Sequence, residues 1–229
     1  MQRKFIYVYL ILVFLLPSAK SFAQYQMHFF LPDFPPYTTI DTDGNPRGIG
    51  LDKMKQVLDS MDIEYTIQVG SNHGRALSEL KVGRSDGFFM ASKNEQRDRY
   101  AVFSESVMVN RWVWVVLKHN KDSFNPSPEA GYEIESLLNT NTHYWLKKSG
   151  YAAAKPAYDI TSLVEKLDTK EADAILVAEE VFNSRFGQDE RYQVILQQEK
   201  KFGAYISKAF LSQNPTFMTE LNQAILANR

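Results

Sequence analysis

The segment Gly87-Phe88-Phe89-Met90-Ala91 contains no polar side chain, and its place in the chain constrains the fold more than any other stretch. A run this short and this apolar reads as a strand buried on both faces, the kind found inside a parallel sheet. What precedes it has the right order. Met27 to Leu31 is a short apolar strand that ends at Pro32. Leu51, Met54, Val57 and Leu58 recur at helical spacing and predict a helix over 51–60. Ile63, Tyr65, Ile67 and Val69 alternate with Glu64, Thr66 and Gln68, the pattern of a half-buried strand. A helix over 74–81 turns Leu77 and Leu80 inward, and Gly83 closes it. This strand–helix alternation predicts an α/β fold with a largely parallel sheet, helices on its faces and right-handed crossovers.

The rest of the chain restarts the same pattern. Asp33-Phe34-Pro35-Pro36-Tyr37 is too rich in proline for a helix or a central strand and reads as a loop. Asp43-Gly44 marks a tight turn between short extended pieces. A strand over 112–117 is followed by the most linker-like stretch, 120–131. Beyond it come a strand over 133–138, helices over 142–149 and 162–167, a buried strand over 173–177, a helix over 179–185 and a strand over 193–196. A last strand over 201–207 and an amphipathic helix over 215–228 break that period, so the chain is expected to return to its first lobe. The expected division is residues 24–116 with 200–229 as lobe 1 and 117–199 as lobe 2. A cleft between lobes is a favoured place for a ligand.

The N-terminus stands apart from this. Arg3 and Lys4 precede an apolar run from Phe5 to Leu16, Pro17 breaks it, and Ser21-Phe22-Ala23 supplies a small-x-small pattern. This is the layout of a secretory signal peptide over residues 1–23, cleaved after Ala23, with an uncleaved signal anchor as the alternative, and an exported product of this kind fits a bacterial periplasm. The run is shorter than the ~20 apolar residues of a membrane span. The chain of 229 residues has no cysteine, which excludes disulfide scaffolds, zinc ribbons, iron–sulfur clusters and a thiol nucleophile. Lys+Arg 26 against Asp+Glu 27 leaves no basic excess to attract nucleic acid. No Gly-x-Ser-x-Gly elbow, phosphate-binding Gly-rich loop or His-Glu-x-x-His pair occurs, and the four histidines are scattered. The expectation is a monomeric binding protein, not an enzyme, with no cofactor and no metal.

Several motifs together carry a family likeness. They are Phe34-Pro35-Pro36-Tyr37, the Asp43-Gly44 turn, the helix from Leu51, Gly83 to Asp86, Ala91-Ser92, Arg97 and Phe103-Ser104. In this order they resemble the bacterial extracellular solute-binding proteins of family 3, periplasmic receptors known for amino-acid uptake. The resemblance spans residues 25–229, firmly in the first lobe and more loosely in the second. It implies a two-lobed periplasmic binding protein fold of type II, with two α/β lobes joined by crossing hinge strands and closing on a ligand.

The resemblance also implies site residues. Arg97 would grip a ligand carboxylate, since a planar guanidinium donates two parallel hydrogen bonds. Its loop is one residue shorter than usual, and Arg97 also fits a solvated charged run. Tyr37 would pack over the ligand, or else anchor its loop in the core; Phe34 reads as core. Ala91 and Ser92 would meet the ligand through backbone and hydroxyl, and Ser92 also has capping-box spacing to Glu95. Thr140, Asn141 and Thr142 match the turn that holds the carboxylate, with Asn139 in place of glycine, a residue tolerant of positive φ. Position 178, where amino-acid receptors place an aspartate for the α-ammonium, is Ala178. Either Glu179 substitutes, or the ligand has no α-amino group.

The function implied is a periplasmic receptor that closes on a small polar solute, an amino acid or related carboxylate, for delivery to an ABC-type transporter. Its partners would be that transporter's membrane subunits or a sensor kinase. The rivals are a prephenate or arogenate dehydratase-like enzyme on the same scaffold and a sensory ligand-binding module.

Overall fold

The computed structural model describes residues 25–152 and 155–229. The leader expected over 1–23 lies outside the described residues. The first elements are β1 (Gln26–Pro32), β2 (Thr39–Ile40), β3 (Pro46–Arg47), α1 (Ile49–Ser60), β4 (Glu64–Gly70), α2 (His73–Lys81) and β5 (Gly87–Ser92). Next come α3 (Glu95–Asp98), β6 (Ala101–Phe103), β7 (Met108–Leu117), β8 (Ile134–Ser136), α4 (Asn141–Lys148) and α5 (Ile160–Asp168). The chain ends with β9 (Ala174–Ala178), α6 (Glu179–Phe186), β10 (Tyr192–Ser207), α7 (Lys208–Gln213) and α8 (Phe217–Ala227).

The strands run β4-β1-β5-β10-β7-β9-β8 across the sheet, with β6 added on β10. β1 pairs in parallel with β4 and β5, as the alternation of strands and helices requires. Every residue of β5 is buried, so the apolar run does lie within the sheet with both faces covered. β8 and β9 form the second parallel pair. Two α/β lobes result, and β7 and β10 join them as an antiparallel ribbon from Tyr192 opposite Leu117 to Phe202 opposite Met108.

Two strands expected over 193–196 and 201–207 are one continuous strand of 16 residues. The polar stretch from Gln197 to Lys201 conceals this, because at the crossing the strand is partly exposed and need not be apolar. The ladder to β7 slips there: Leu196 faces Val113, Gln198 faces Trp112, and Gln197 is the extra residue of a bulge. Bulges bend a strand and increase its twist, which suits the joint between two lobes. The helix expected over 215–228 is α8, preceded by the short α7. Ser207 starts α7 by accepting a hydrogen bond from the Phe210 amide at 3.2 Å.

The larger core threads both lobes, from Phe29, Leu51, Met54 and Phe89 to Leu163, Ile175 and Phe182. A smaller one covers the other face of the second lobe's strands, where Trp114 packs with Phe124, Trp145 and Tyr151 at centroid distances of 6.0, 6.0 and 5.7 Å.

Candidate functional site

Several segments converge where the lobes meet. From the first lobe comes the end of β5. Its ladder to β10 has a second bulge: Phe89 faces Ala204, Ala91 faces Gly203, and Met90 is passed over. Met90 holds φ 56°, uncommon for a residue with a side chain. The bulge frees its carbonyl, which accepts a hydrogen bond from His73 Nε2 at 3.0 Å. That bond puts the imidazole proton on Nε2. Burial, and then the neighbouring Arg97 cation, pull the His73 pKa down to about 3, so the ring is neutral at pH 7. The bulge also carries Ser92 to the cleft, where its hydroxyl is buried without a hydrogen-bond partner.

Arg97 follows on α3, whose start is capped by the Asn94 side chain accepting from the Arg97 amide at 2.9 Å. The guanidinium is folded back into the cleft and is only 3% exposed. It lies over the rings of Phe88 and Tyr205, with centroids at 5.8 and 6.0 Å. Nη1 donates to the Ser92 carbonyl at 2.8 Å. Burial pulls the Arg97 pKa down to about 10, leaving it charged at neutral pH.

The second lobe supplies the start of α4. Asn139 adopts φ 60°, the left-handed conformation for which Asn can replace glycine. Thr140 is the cap, its Oγ1 accepting from the His143 amide at 3.3 Å and lying 2.7 Å from Thr142 Oγ1. Asn141 reaches across the cleft: Nδ2 donates to the Ser92 carbonyl at 2.9 Å, and Oδ1 accepts from Asn94 Nδ2 at 2.6 Å. Lys148 and Glu95 add an exposed ion pair at 3.2 Å.

A cavity of about 20 Å³ remains between these groups. That is room for about one water. Its polar wall includes His73, Ser92, Arg97, Asn110, Thr140, Asn141 and Thr142, and Phe34, Trp112, Leu137, Val177, Ala178 and Phe202 make the apolar wall. A wider groove of about 530 Å³ at the mouth shares Ser92, Trp112 and Asn141 with it.

Of the residues singled out in the sequence, Ser92, Arg97, Thr140, Asn141 and Thr142 come together here. Ala91 is fully buried behind them and is not part of the cavity wall. Tyr37 takes the second of the places expected for it, an anchor of its loop in the core, and Phe34, expected in the core, also reaches the cavity wall. Tyr37 is fully buried, with its hydroxyl donating to Asn110 Oδ1 at 3.3 Å, whereas Phe34 stacks on it at 5.6 Å and faces the cavity. Glu179 is not in the wall either; its carboxylate pairs with Arg111 Nη1 at 3.0 Å. Asn110, Trp112 and Phe202 come from the crossing strands; Trp112 reads in the sequence as core or cleft lining, and the other two carry no mark of the site. Their signal is only that a strand passing between two lobes has one side in the cleft. Among the described residues no group of three or more His, Cys, Asp or Glu side chains is placed to hold a metal ion.

Two α/β lobes, a two-stranded crossing and a polar cleft between them define a type II periplasmic binding fold. The chain belongs to the bacterial extracellular solute-binding proteins, family 3, whose model matches residues 29–229. Solved structures agree on the fold. The arginine-bound form of truncated ArgBP from T. maritima has TM-score 0.70 and 17% identity, over 89% of this chain and 96% of that one. A substrate-binding protein of an ABC uptake transporter from Streptococcus pneumoniae, with bound histidine, has TM-score 0.71 and 16% identity, over 88% and 86%. An ancestral amino acid-binding protein described as a precursor of cyclohexadienyl dehydratase has TM-score 0.69 and 15% identity, over 88% of each. No curated protein matches the chain in sequence.

Proposed function

We propose that this protein is an exported receptor that closes its lobes on a small polar solute carrying a carboxylate, an amino acid or a related acid, and hands it to an ABC-type transporter. The observation that carries the reading is Arg97: a charged guanidinium, 3% exposed, aimed into the cleft opposite the start of α4. A buried cation without an anionic partner is costly, and a protein keeps one where an anion will arrive. The amides at the start of α4 favour negative charge on the opposite side. Closure follows from a solute that touches both lobes, because only contacts made better in the closed state shift the balance toward it. Export rests on the leader over 1–23 with cleavage after Ala23, and the sheet, cleft and terminal helices all lie beyond that point.

Thermal unfolding against amino acids and small organic acids tests this. A solute at about a hundred times its Kd adds roughly 2.7 kcal/mol. For a chain of this size that raises the midpoint by on the order of 5–10 °C. A midpoint unmoved by every acid tried, in the chain and in Arg97→Ala alike, would remove the receptor reading. The dehydratase-like alternative gains its support from the ancestral relative of that lineage, and phenylpyruvate release from prephenate would establish it in place of the receptor.

A further inference from the structure

The charges around the cavity distinguish between kinds of acid. Two titratable side chains, His73 and Arg97, belong to its wall, and His73 is neutral at pH 7. Arg97 is therefore the ionised group that the wall contributes. Of the acids nearby, Asp98 and Glu179 are committed elsewhere. Asp98, next to it on α3, accepts from the Tyr205 hydroxyl at 2.9 Å and lies 3.9 Å from Lys93. Glu179, on α6, is paired with Arg111 of β7 at 3.0 Å. Burial and then the charges of Glu180 and Glu179 raise the pKa of Tyr37, and neither carboxylate is in the wall. The groups facing Arg97 from β10 and α4 are the phenols of Tyr205 and Tyr144.

Neutral donors gather around the same point. The Ser92 hydroxyl is buried, unpartnered and in the cavity wall, and Asn141 Nδ2 points at the same place from the other lobe. In this closed arrangement Arg97 and Asn141 both spend a donor on the Ser92 carbonyl, a single acceptor where a carboxylate would offer two oxygens. Of the remaining wall, Asn110 accepts from Tyr37, and the Thr140 and Thr142 hydroxyls are bonded to the Leu137 carbonyl and to each other, while Phe34, Leu137, Val177, Ala178 and Phe202, with Trp112 on the crossing strand, are apolar. Such a site compensates one negative charge and accepts an apolar body. An ammonium brought in with them would be desolvated against apolar side chains beside a like charge.

We propose that the solute is a small monocarboxylate with an apolar body and no α-ammonium group. The inference rests on the receptor reading above and narrows it. The lobes must part to admit such a molecule, since the closed cavity holds about one water.

Calorimetric titration of the exported protein with matched pairs provides the test: propanoate with alanine, isocaproate with leucine, hydrocinnamate with phenylalanine. Each pair shares a carboxylate and a body and differs by the ammonium. The expected result is that at least one desamino acid binds about tenfold or more tightly than its amino partner, and that Arg97→Gln removes this binding. Because the comparison is made on the unaltered protein, it holds even if that variant folds poorly. An amino acid that binds as tightly as its partner, with affinity that falls in Glu179→Gln, overturns the inference and leaves the receptor reading intact. Heat from neither series overturns both.

Discussion

Arg97 and Asn141 stand on opposite sides of the cleft and donate to one oxygen, the Ser92 carbonyl, at 2.8 and 2.9 Å. With Asn94 bonded to the Asn141 amide oxygen, this short network ties the lobes together using only the protein's own groups. Closure and solute binding thus draw on the same donors, and loosening the network is expected to change the resting balance between open and closed.

Asn94→Ala removes the bond to Asn141 and the cap of α3. A hydrogen bond contributes about 1 kcal/mol net, so the closed-to-open ratio should fall by roughly fivefold. The chain has no cysteine, so spin labels can be placed on two introduced ones, for example at the exposed positions Gln56 and Glu165. A longer mean distance between them in the variant is expected; an unchanged distribution would mean that the network does not hold the lobes.

Gly74→Ala should separate closure from stability. A methyl group at Gly74 would lie 3.1 Å from Asn139 Nδ2 of the second lobe and 3.1 Å from the capping Asn72 Oδ1. Alanine within a helix is worth up to about 1 kcal/mol over glycine, so the unfolding midpoint should hold or rise by a few degrees. The label distance should nonetheless lengthen. A shorter distance, or a midpoint that drops with it, would contradict the close approach of α2 and the Asn139 turn.

Tyr37→Phe tests the anchoring role. The phenol hydroxyl donates to buried Asn110 at 3.3 Å, and losing it leaves that amide oxygen unsatisfied. A cost of about 1 kcal/mol, on the order of 2–4 °C in the midpoint, is expected with solute affinity little changed. A large loss of affinity at constant stability would instead make Tyr37 a direct contact.

His73 sets a pH dependence. Burial lowers its folded pKa to about 3, below the ordinary 6.5, so the unfolded chain holds more protons between those values. Stability from this group is complete above pH 6.5 and declines as pH falls toward 3. At pH 4.5 the loss is about 2–3 kcal/mol. Comparing urea midpoints of the chain and of His73→Gln at pH 7 and 4.5 isolates it from the carboxylates. Equal acid sensitivity in the two would mean the imidazole is not buried neutral.

The parts of the fold that the sequence discloses are those with periodic burial. α1 shows its apolar positions at helical spacing, β4 alternates, and β5 is apolar throughout because both its faces are covered. β10 is hidden, since its central polar residues are partly exposed and break the apolar pattern, and α7 has six residues, too few to show a period. In the cleft, Ser92, Arg97 and the turn at Thr140 are legible because chemistry there calls for particular residue types. Phe34 and Tyr37 are not separable in this way. Which ring faces the cavity depends on how the Pro-Pro loop folds, with Phe34 bridged to Thr38, and both rings are apolar enough for either place. Trp112 shares a strand face with Trp114 and reads as packing or as cleft lining, and the structure gives it both.

The unbroken crossing strand has a mechanical consequence. Where two lobes are tethered by loops, the joint is also where backbone amides are open to solvent. Here β7 and β10 remain paired through the boundary from end to end, and the bulge at Gln197 absorbs curvature within the ladder. Such a joint bends as a leaf spring does: its amides should exchange hydrogen slowly in the open and closed states alike. The clamp's moving part would then be among its best protected backbone, and a protease would find no foothold at the hinge.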